Sequence, residues 1–222
     1  MSGAAEAPET GRAAAPGGAI PRFYQIVDDA AWLARFVPLG LRFAQLRVKD
    51  RPEAELRAQI RASLAACGAR CALVVNDHWR LAIEEGAPWV HLGQEDLAAA
   101  DLGAIRAAGL RLGVSTHDHA ELDTALAARP DYVALGPVFP TILKAMRWAP
   151  QGVGRIPDWR RRAGGVPVVA IGGFTPGRGR QAWAAGADSV CVVTDVLRHA
   201  HPEARLAEWL EAARLPGLAA SA

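Results

Sequence analysis

Eight short runs of β-branched and aromatic residues, each bounded by turn formers, alternate along this chain with Ala- and Leu-rich stretches of helical spacing. The runs are Phe23–Val27, Arg42–Val48, Ala72–Val75, Trp89–Leu92, Leu110–Ser115, Tyr132–Leu135, Val166–Ile171 and Ser189–Val193. Between them Glu53–Ala66, Leu81–Glu85, Leu102–Ala108, Ala120–Ala128 and Arg178–Ala185 read as helices. Gly68, Gly86, Gly109, Pro130 and Gly186 stand where those helices should stop. Strands separated by helices run parallel, and eight such units close a (β/α)8 TIM barrel. The pattern predicts an α/β chain with one barrel over residues 21–216, a disordered N-terminal tail over 1–20 and a short disordered C-terminus over 217–222. An open doubly wound sheet is the rival, and it too would gather the strands' carboxyl ends on one rim.

Composition narrows what that rim can bind. With 222 residues and 51% hydrophobic content, the chain can build one large core. Its 25 Lys and Arg against 23 acids give a net charge of +2, which excludes the basic footprint of a nucleic-acid surface, so anion binding must be local. Cys67, Cys71 and Cys191 fit neither a disulfide framework nor a zinc pattern and read as reduced core thiols. The first twenty residues lack the basic start and apolar run of a secretory signal, and no apolar run is long enough to span a bilayer. A soluble, cytoplasmic protein is expected.

Several strands end in polar clusters. In Gln45-Leu46-Arg47-Val48-Lys49 the two-residue period of a strand puts Gln45, Arg47 and Lys49 on one face, opposite Leu46 and Val48. An internal salt-bridge layer is one reading of that face. Two cations and an amide with no acid in the same strand fit better as an anion fork, Arg for bidentate oxygen contacts and Lys as a point charge. Asp77 and Asp96 follow adjacent strands. Each could cap the next helix, which would begin near Trp79 or Leu97. Together, beside Arg47 and Lys49, they suit Mg²⁺, which takes one or two carboxylates plus waters and substrate phosphate oxygens. Cations and Mg²⁺ on one rim imply a polyphosphate.

Ile171-Gly172-Gly173-Phe174-Thr175 and Val192-Val193-Thr194 follow the last two strands. Those loops are the recurrent phosphate site of such barrels, although the glycines could also mark a simple tight turn. The long segment from Gly136 to about Gly154 is expected to be functional, with Thr141 and Lys144 closing over the first phosphate group and with Met146 and Trp148 packing. Of the six histidines, His91, His117 and His119 fall near the rim, but none has a serine or cysteine partner at a suggestive spacing. No nucleophilic triad is expected.

Taken in order, Gln45-Leu46-Arg47-Val48-Lys49, Asn76-Asp77, Val90-His91-Leu92-Gly93-Gln94-Glu95-Asp96, Gly113-Val114-Ser115, Gly136-Pro137-Val138-Phe139-Pro140-Thr141 and Ala170-Ile171-Gly172-Gly173 closely resemble the thiamine-phosphate synthase family. The resemblance covers Arg22 to about Trp209. It implies a transferase that joins hydroxymethylpyrimidine diphosphate to a thiazole phosphate and releases pyrophosphate. It further implies that Asp77 and Asp96 hold Mg²⁺, and that Arg47, Lys49, Asn76, Ser115, Thr141 and Lys144 meet the pyrimidine diphosphate, with Arg47, Lys49, Ser115 and Lys144 as the catalytic set. Gln45 would face the pyrimidine, and Gly173, Val193 and Thr194 would cradle the thiazole phosphate. Two departures stand out: Leu143 replaces a second hydroxyl residue before the lysine, and Ala145–Pro150 is particular to this branch.

The inventory suits that chemistry. An aminopyrimidine ring delocalises the cation left when diphosphate departs, so the protein must stabilise the leaving group, and the thiazole nitrogen brings its own lone pair. A thiazole tautomerase of the same barrel family is a rival reading, but such relatives usually carry a histidine where this chain has Pro137 and often lack a metal aspartate. A non-catalytic barrel that binds a phosphorylated ligand is the other, and it would need no acidic pair.

Overall fold

The structure, a computed structural model, describes residues 20–141 and 148–214. Eight strands, β1 (Phe23–Val27), β2 (Phe43–Leu46), β3 (Ala72–Asn76), β4 (Trp89–Leu92), β5 (Arg111–Thr116), β6 (Tyr132–Leu135), β7 (Val168–Ile171) and β8 (Ser189–Val192), pair in sequence order into a closed barrel. Every neighbouring pair is parallel, and β8 closes on β1 through Phe23 opposite Val190 and Gln25 opposite Val192. The open-sheet rival therefore falls.

The helices around it are α1 (Ala30–Phe36), α2 (Glu53–Cys67), α3 (Trp79–Glu84), α4 (Gln94–Ala99), α5 (Leu102–Ala107), α6 (His119–Ala127), α7 (Ile156–Ala163), α8 (Pro176–Ala184), α9 (Thr194–Leu197) and α10 (Pro202–Ala213). Gly68, Gly86, Gly109 and Gly186 follow α2, α3, α5 and α8 at positive φ, as stop signals should. Among the described residues no helix is long and apolar enough to cross a membrane. The expected tails over 1–20 and 217–222 lie outside the described residues except for Ile20, which packs against the barrel's inner cluster.

Alternation along each strand sorts the core into two shells. Outward residues such as Leu46, Val75, Val90, Val114 and Val133 join the helices in one large cluster that buries Trp159 and Trp209 completely. Each large apolar side chain so buried is worth about 1.5–3 kcal/mol. Inward residues form a separate cluster, and its lower layer holds four rings. Tyr24 meets Phe43 edge-on at 5.3 Å, Phe43 meets Trp89 at 5.2 Å, Trp89 meets Tyr132 at 6.0 Å, and Tyr132 lies 6.4 Å from Tyr24. These rings make a solid floor beneath the rim. The three cysteines are free and buried, as expected of core thiols.

Gly113 gives that floor its room. A Cβ at this position would stand 2.1 Å from Tyr132 Cζ, and Tyr132 is wholly buried with nowhere to retreat. Gly113→Ala is expected to destabilise the fold by at least the ~1–3 kcal/mol typical of overpacking. Urea unfolding checks it, and an unchanged midpoint would show that the ring can shift.

Candidate functional site at the carboxyl rim

A cavity of about 500 Å³ opens at the carboxyl ends of the strands. Gln45, Arg47, Lys49, Asn76, Asp77, Asp96, Ser115 and Thr141 line it, and so do Gly173, Val193 and Thr194. Every site residue expected from the sequence is thus brought to one place, apart from Lys144, which with Leu143 and Met146 lies outside the described residues.

β2 proves shorter than its β-branched run, ending at Leu46 instead of Val48. Arg47 still donates its N–H to the Val27 carbonyl at 2.8 Å, so the alternation continues past the formal end of the strand. Gln45 consequently points inward, 2% exposed, and its amide nitrogen makes no well-formed hydrogen bond within the protein, with the Tyr132 hydroxyl beside it. An orphaned buried donor costs about 1–3 kcal/mol. Gln45 is therefore set for an acceptor that comes with a ligand.

Asp77 sits at the end of β3 with φ 65°, a left-handed conformation that aspartate tolerates better than most residues. β3 pairs with β4, and the next acid, Asp96, lies in the first turn of α4. That helix starts at Gln94, earlier than the Leu97 expected, because Gly93 is extended and its carbonyl accepts from the Leu97 N–H at 2.8 Å. The positions that cap α3 and α4 are His78 and Gly93, neither with a side-chain cap bond, so the capping alternative loses its support for both aspartates. The two carboxyls instead face each other. Desolvation raises the Asp96 pKa, the charge of Asp77 and its hydrogen bond raise it further, and Lys49 pulls it down. Lys49 Nζ lies 3.2 Å from Asp77 Oδ2. No group of three His, Cys, Asp or Glu placed to hold a metal occurs among the described residues. Two adjacent carboxylates fit an ion that completes its shell with waters and substrate oxygens.

The second half of the cavity is backbone. Gly172 and Gly173 have φ 101° and 68°, and a Cβ on Gly173 would come 2.4 Å from the Pro140 carbonyl oxygen. Val138 and Phe139 donate their N–H groups to the Ile171 and Gly172 carbonyls, which laces the loop after β6 to the loop after β7. Arg178 donates to the Gly173 carbonyl at 2.7 Å while lying over the Phe139 ring. Gln25, fully buried, donates to the Val193 carbonyl at 3.3 Å and steadies the loop after β8.

The structure adds a serine partner for His91 that sequence spacing does not show: its Nε2 lies 2.8 Å from Ser115 Oγ, and its Nδ1 lies 2.8 Å from the Tyr132 hydroxyl. Ser115 is 24 residues away in sequence but on the adjacent strand, so spacing along the chain carried no hint of it. This is no nucleophilic triad, because the third member is a phenol and the imidazole is a poor base. Desolvation lowers its pKa to about 4, Asp77 raising it and Arg47 lowering it. Gln94, also missed, donates to the Ser115 carbonyl at 2.6 Å. Trp148 packs by stacking on His117 at 5.6 Å with the planes 7° apart, and it also lines the cavity while 37% exposed.

The family model for thiamine monophosphate synthase matches residues 23–196. A thiamine-phosphate synthase of Rhizobium etli is 63% identical over 191 residues, covering 86% of this chain and 94% of the relative. That of Neisseria meningitidis serogroup B is 50% identical, covering 82% and 90%, and one from Escherichia coli O1:K1 is 49% identical, covering 86% and 90%. A solved structure titled thiamine phosphate pyrophosphorylase from Pyrococcus furiosus superposes with a TM-score of 0.75 at 23% identity, covering 86% and 95%, and so supports the fold.

The buried imidazole links pH to stability. An unfolded chain takes up this proton near pH 6.5, whereas the folded protein does so only near pH 4. The unfolded state therefore binds more protons between those values, and stability that is complete above pH 6.5 is lost as pH falls through the window. The loss should be on the order of 3 kcal/mol at about 1.4 kcal/mol per pH unit. Metal-free urea titrations from pH 7 to 4.5 should show a shallower decline in His91→Gln than in the wild type. Equal slopes would assign the acid loss to other groups.

Proposed function

The chain belongs to the thiamine monophosphate synthase family, and from that premise we propose that its barrel, residues 21–216, couples hydroxymethylpyrimidine diphosphate to a thiazole phosphate at this rim, with release of pyrophosphate. The observation that carries the assignment of roles is the convergence of Gln45, Arg47, Lys49, Asn76 and the facing pair Asp77 and Asp96 on one cavity. Gln45 offers its unpartnered amide to the pyrimidine ring. Arg47, Lys49, Asn76, Ser115 and Thr141 surround the diphosphate, and Lys144 belongs to the same set on the resemblance to the family. Gly173, Val193 and Thr194 hold the thiazole phosphate, where bare backbone permits close approach.

Asp77 and Asp96 fit Mg²⁺, because their mutual repulsion is relieved by a divalent cation and the missing ligands can come from water and diphosphate. Bound there, the ion would supply charge stabilisation to the departing pyrophosphate. Arg47 and Lys49 add fixed positive charge beside it. The laced loops after β6 and β7 hold the thiazole phosphate in place, and that positioning converts an encounter into an intramolecular attack. We place the enzyme in the cytoplasm, a reducing compartment that suits the neighbouring free thiols of Cys67 and Cys71.

Pyrophosphate release is expected only when both substrates and Mg²⁺ are present; release without the thiazole phosphate or without the metal contradicts this reading. Asp77→Ala and Asp96→Ala should each abolish Mg²⁺-dependent turnover while the cooperative unfolding transition is retained. Turnover at the wild-type rate in either variant removes that aspartate from the metal site. Arg47→Ala should weaken binding of the diphosphate substrate by roughly 2–5 kcal/mol, the range for stripping one partner from a buried charge pair. Titration calorimetry measures it directly.

A further inference from the structure

The hydrogen bonds beneath Ser115 form one continuous file. From the rim downward it runs from Ser115 Oγ to His91 Nε2 and, across the imidazole, from His91 Nδ1 to the Tyr132 hydroxyl, both hydrogen bonds 2.8 Å long. Below it the Tyr24 ring lies edge-on to Tyr132 with its hydroxyl beside Tyr132 and the Cys191 thiol, and the Gln45 amide also neighbours the Tyr132 hydroxyl. Tyr24, Tyr132 and Cys191 are at most 1% exposed and His91 is 6% exposed, so the file is buried beneath the rim. His91 and Tyr132 are further held by stacking, their ring centroids 5.5 Å apart.

Each hydroxyl has a single proton and a neutral imidazole has one N–H, so between Ser115 and Tyr132 the file can point in only one of two directions. Pointing down, Ser115 gives its proton to His91 and the chain ends on the Cys191 sulfur, a weak acceptor. Ser115 then shows only lone pairs to the cavity, where an anionic diphosphate also offers only lone pairs. Pointing up, Cys191 and Tyr24 donate toward Tyr132, Tyr132 donates to Nδ1, and the Nε2–H donates to Ser115. The serine proton is then free for the strongest acceptor in reach, and charge-assisted bonds of that kind are about twice as strong as neutral ones. Placing the best acceptor at the end of the file decides its direction.

We propose that Tyr132 is a positioning residue for the reaction: by donating to His91 Nδ1 it fixes the imidazole as the Nε2–H tautomer and thereby commits the Ser115 hydroxyl to donate to the leaving diphosphate. This rests on the placing of the diphosphate beside Ser115 in the proposed function. Both ring nitrogens of the buried His91 face hydroxyls and no carboxylate, so the ring is neutral and must choose a tautomer. Gly113 belongs to the same device, since only a glycine leaves room for the Tyr132 ring against β5.

The test is Tyr132→Phe, which keeps the ring and removes only the hydroxyl. Turnover by the wild type with both substrates and Mg²⁺ is measured first, and its absence would count against the proposed function, not against the tautomer. In the variant kcat should fall roughly 10- to 100-fold, the scale seen when the partner that orients a metal-ligating histidine is removed. KM for the thiazole phosphate should stay unchanged. In a Ser115→Ala background the same change should cost less than about 2-fold, since coupled residues are not additive. Nitrogen-15 spectra of labelled histidine with inorganic pyrophosphate and Mg²⁺ present, the His91 signals assigned through His91→Gln, read the tautomer without turnover. A protonated Nε2 in the wild type, lost or mixed in Tyr132→Phe, supports the proposal. A protonated Nδ1 in the wild type, or losses from Tyr132→Phe and Ser115→Ala that simply multiply, overturns it.

Discussion

Closure of the sheet with every strand parallel is the constraint on which the site depends. Because β1 to β8 pair in sequence order and all point one way, whatever residue follows each strand is delivered to the same mouth. Hydrogen bonding of the ladder fixes the register, and register fixes which side chains look inward. A slip by one residue in β2 would turn Gln45, Arg47 and Lys49 toward α2 and bring Leu46 and Val48 into the cavity. The outer apolar cluster resists that slip, since Leu46 and Val48 are packed into it and 3% and 8% exposed. Hydrophobic packing outside thus holds the charge pattern inside.

The charges at the mouth are balanced only in part. Asp77 and Asp96 face each other with Lys49 against one of them, and burial works against ionisation of the other. Such an arrangement stores unfavourable electrostatics in the free protein and makes the site receptive to a cation and an anion together. The Gln45 amide adds an unmet hydrogen-bond requirement of the same kind. The backbone half of the cavity differs, because Gly172 and Gly173 are already locked by the loop after β6 and by Arg178.

Much of this was legible in the chain. Runs of β-branched and aromatic residues between turn formers located all eight strands, and the polar residues after Leu46, Val75 and Leu92 announced the rim, because residue type over a short run is a local property. Element ends were less legible. β2 stops at Leu46 and α4 begins at Gln94, both settled by backbone hydrogen bonds that residue type does not encode. The pairing of His91 with Ser115 could not be found from spacing, since it crosses from β4 to β5 and depends on their register. Trp148 packs as its type suggests, but the choice of His117 as its partner depends on how two loops meet and is not encoded locally.

The ring of Tyr24, Phe43, Trp89 and Tyr132 has a consequence for traffic through the molecule. With its far end plugged by aromatic side chains, the barrel is a blind well and not a tunnel. Anything seated at depth against Gln45 must have entered past Arg47 and Lys49 and must depart by the same door. An anion lodged between those cations is then a cork, and the order in which molecules come and go is set by who stands nearest the opening.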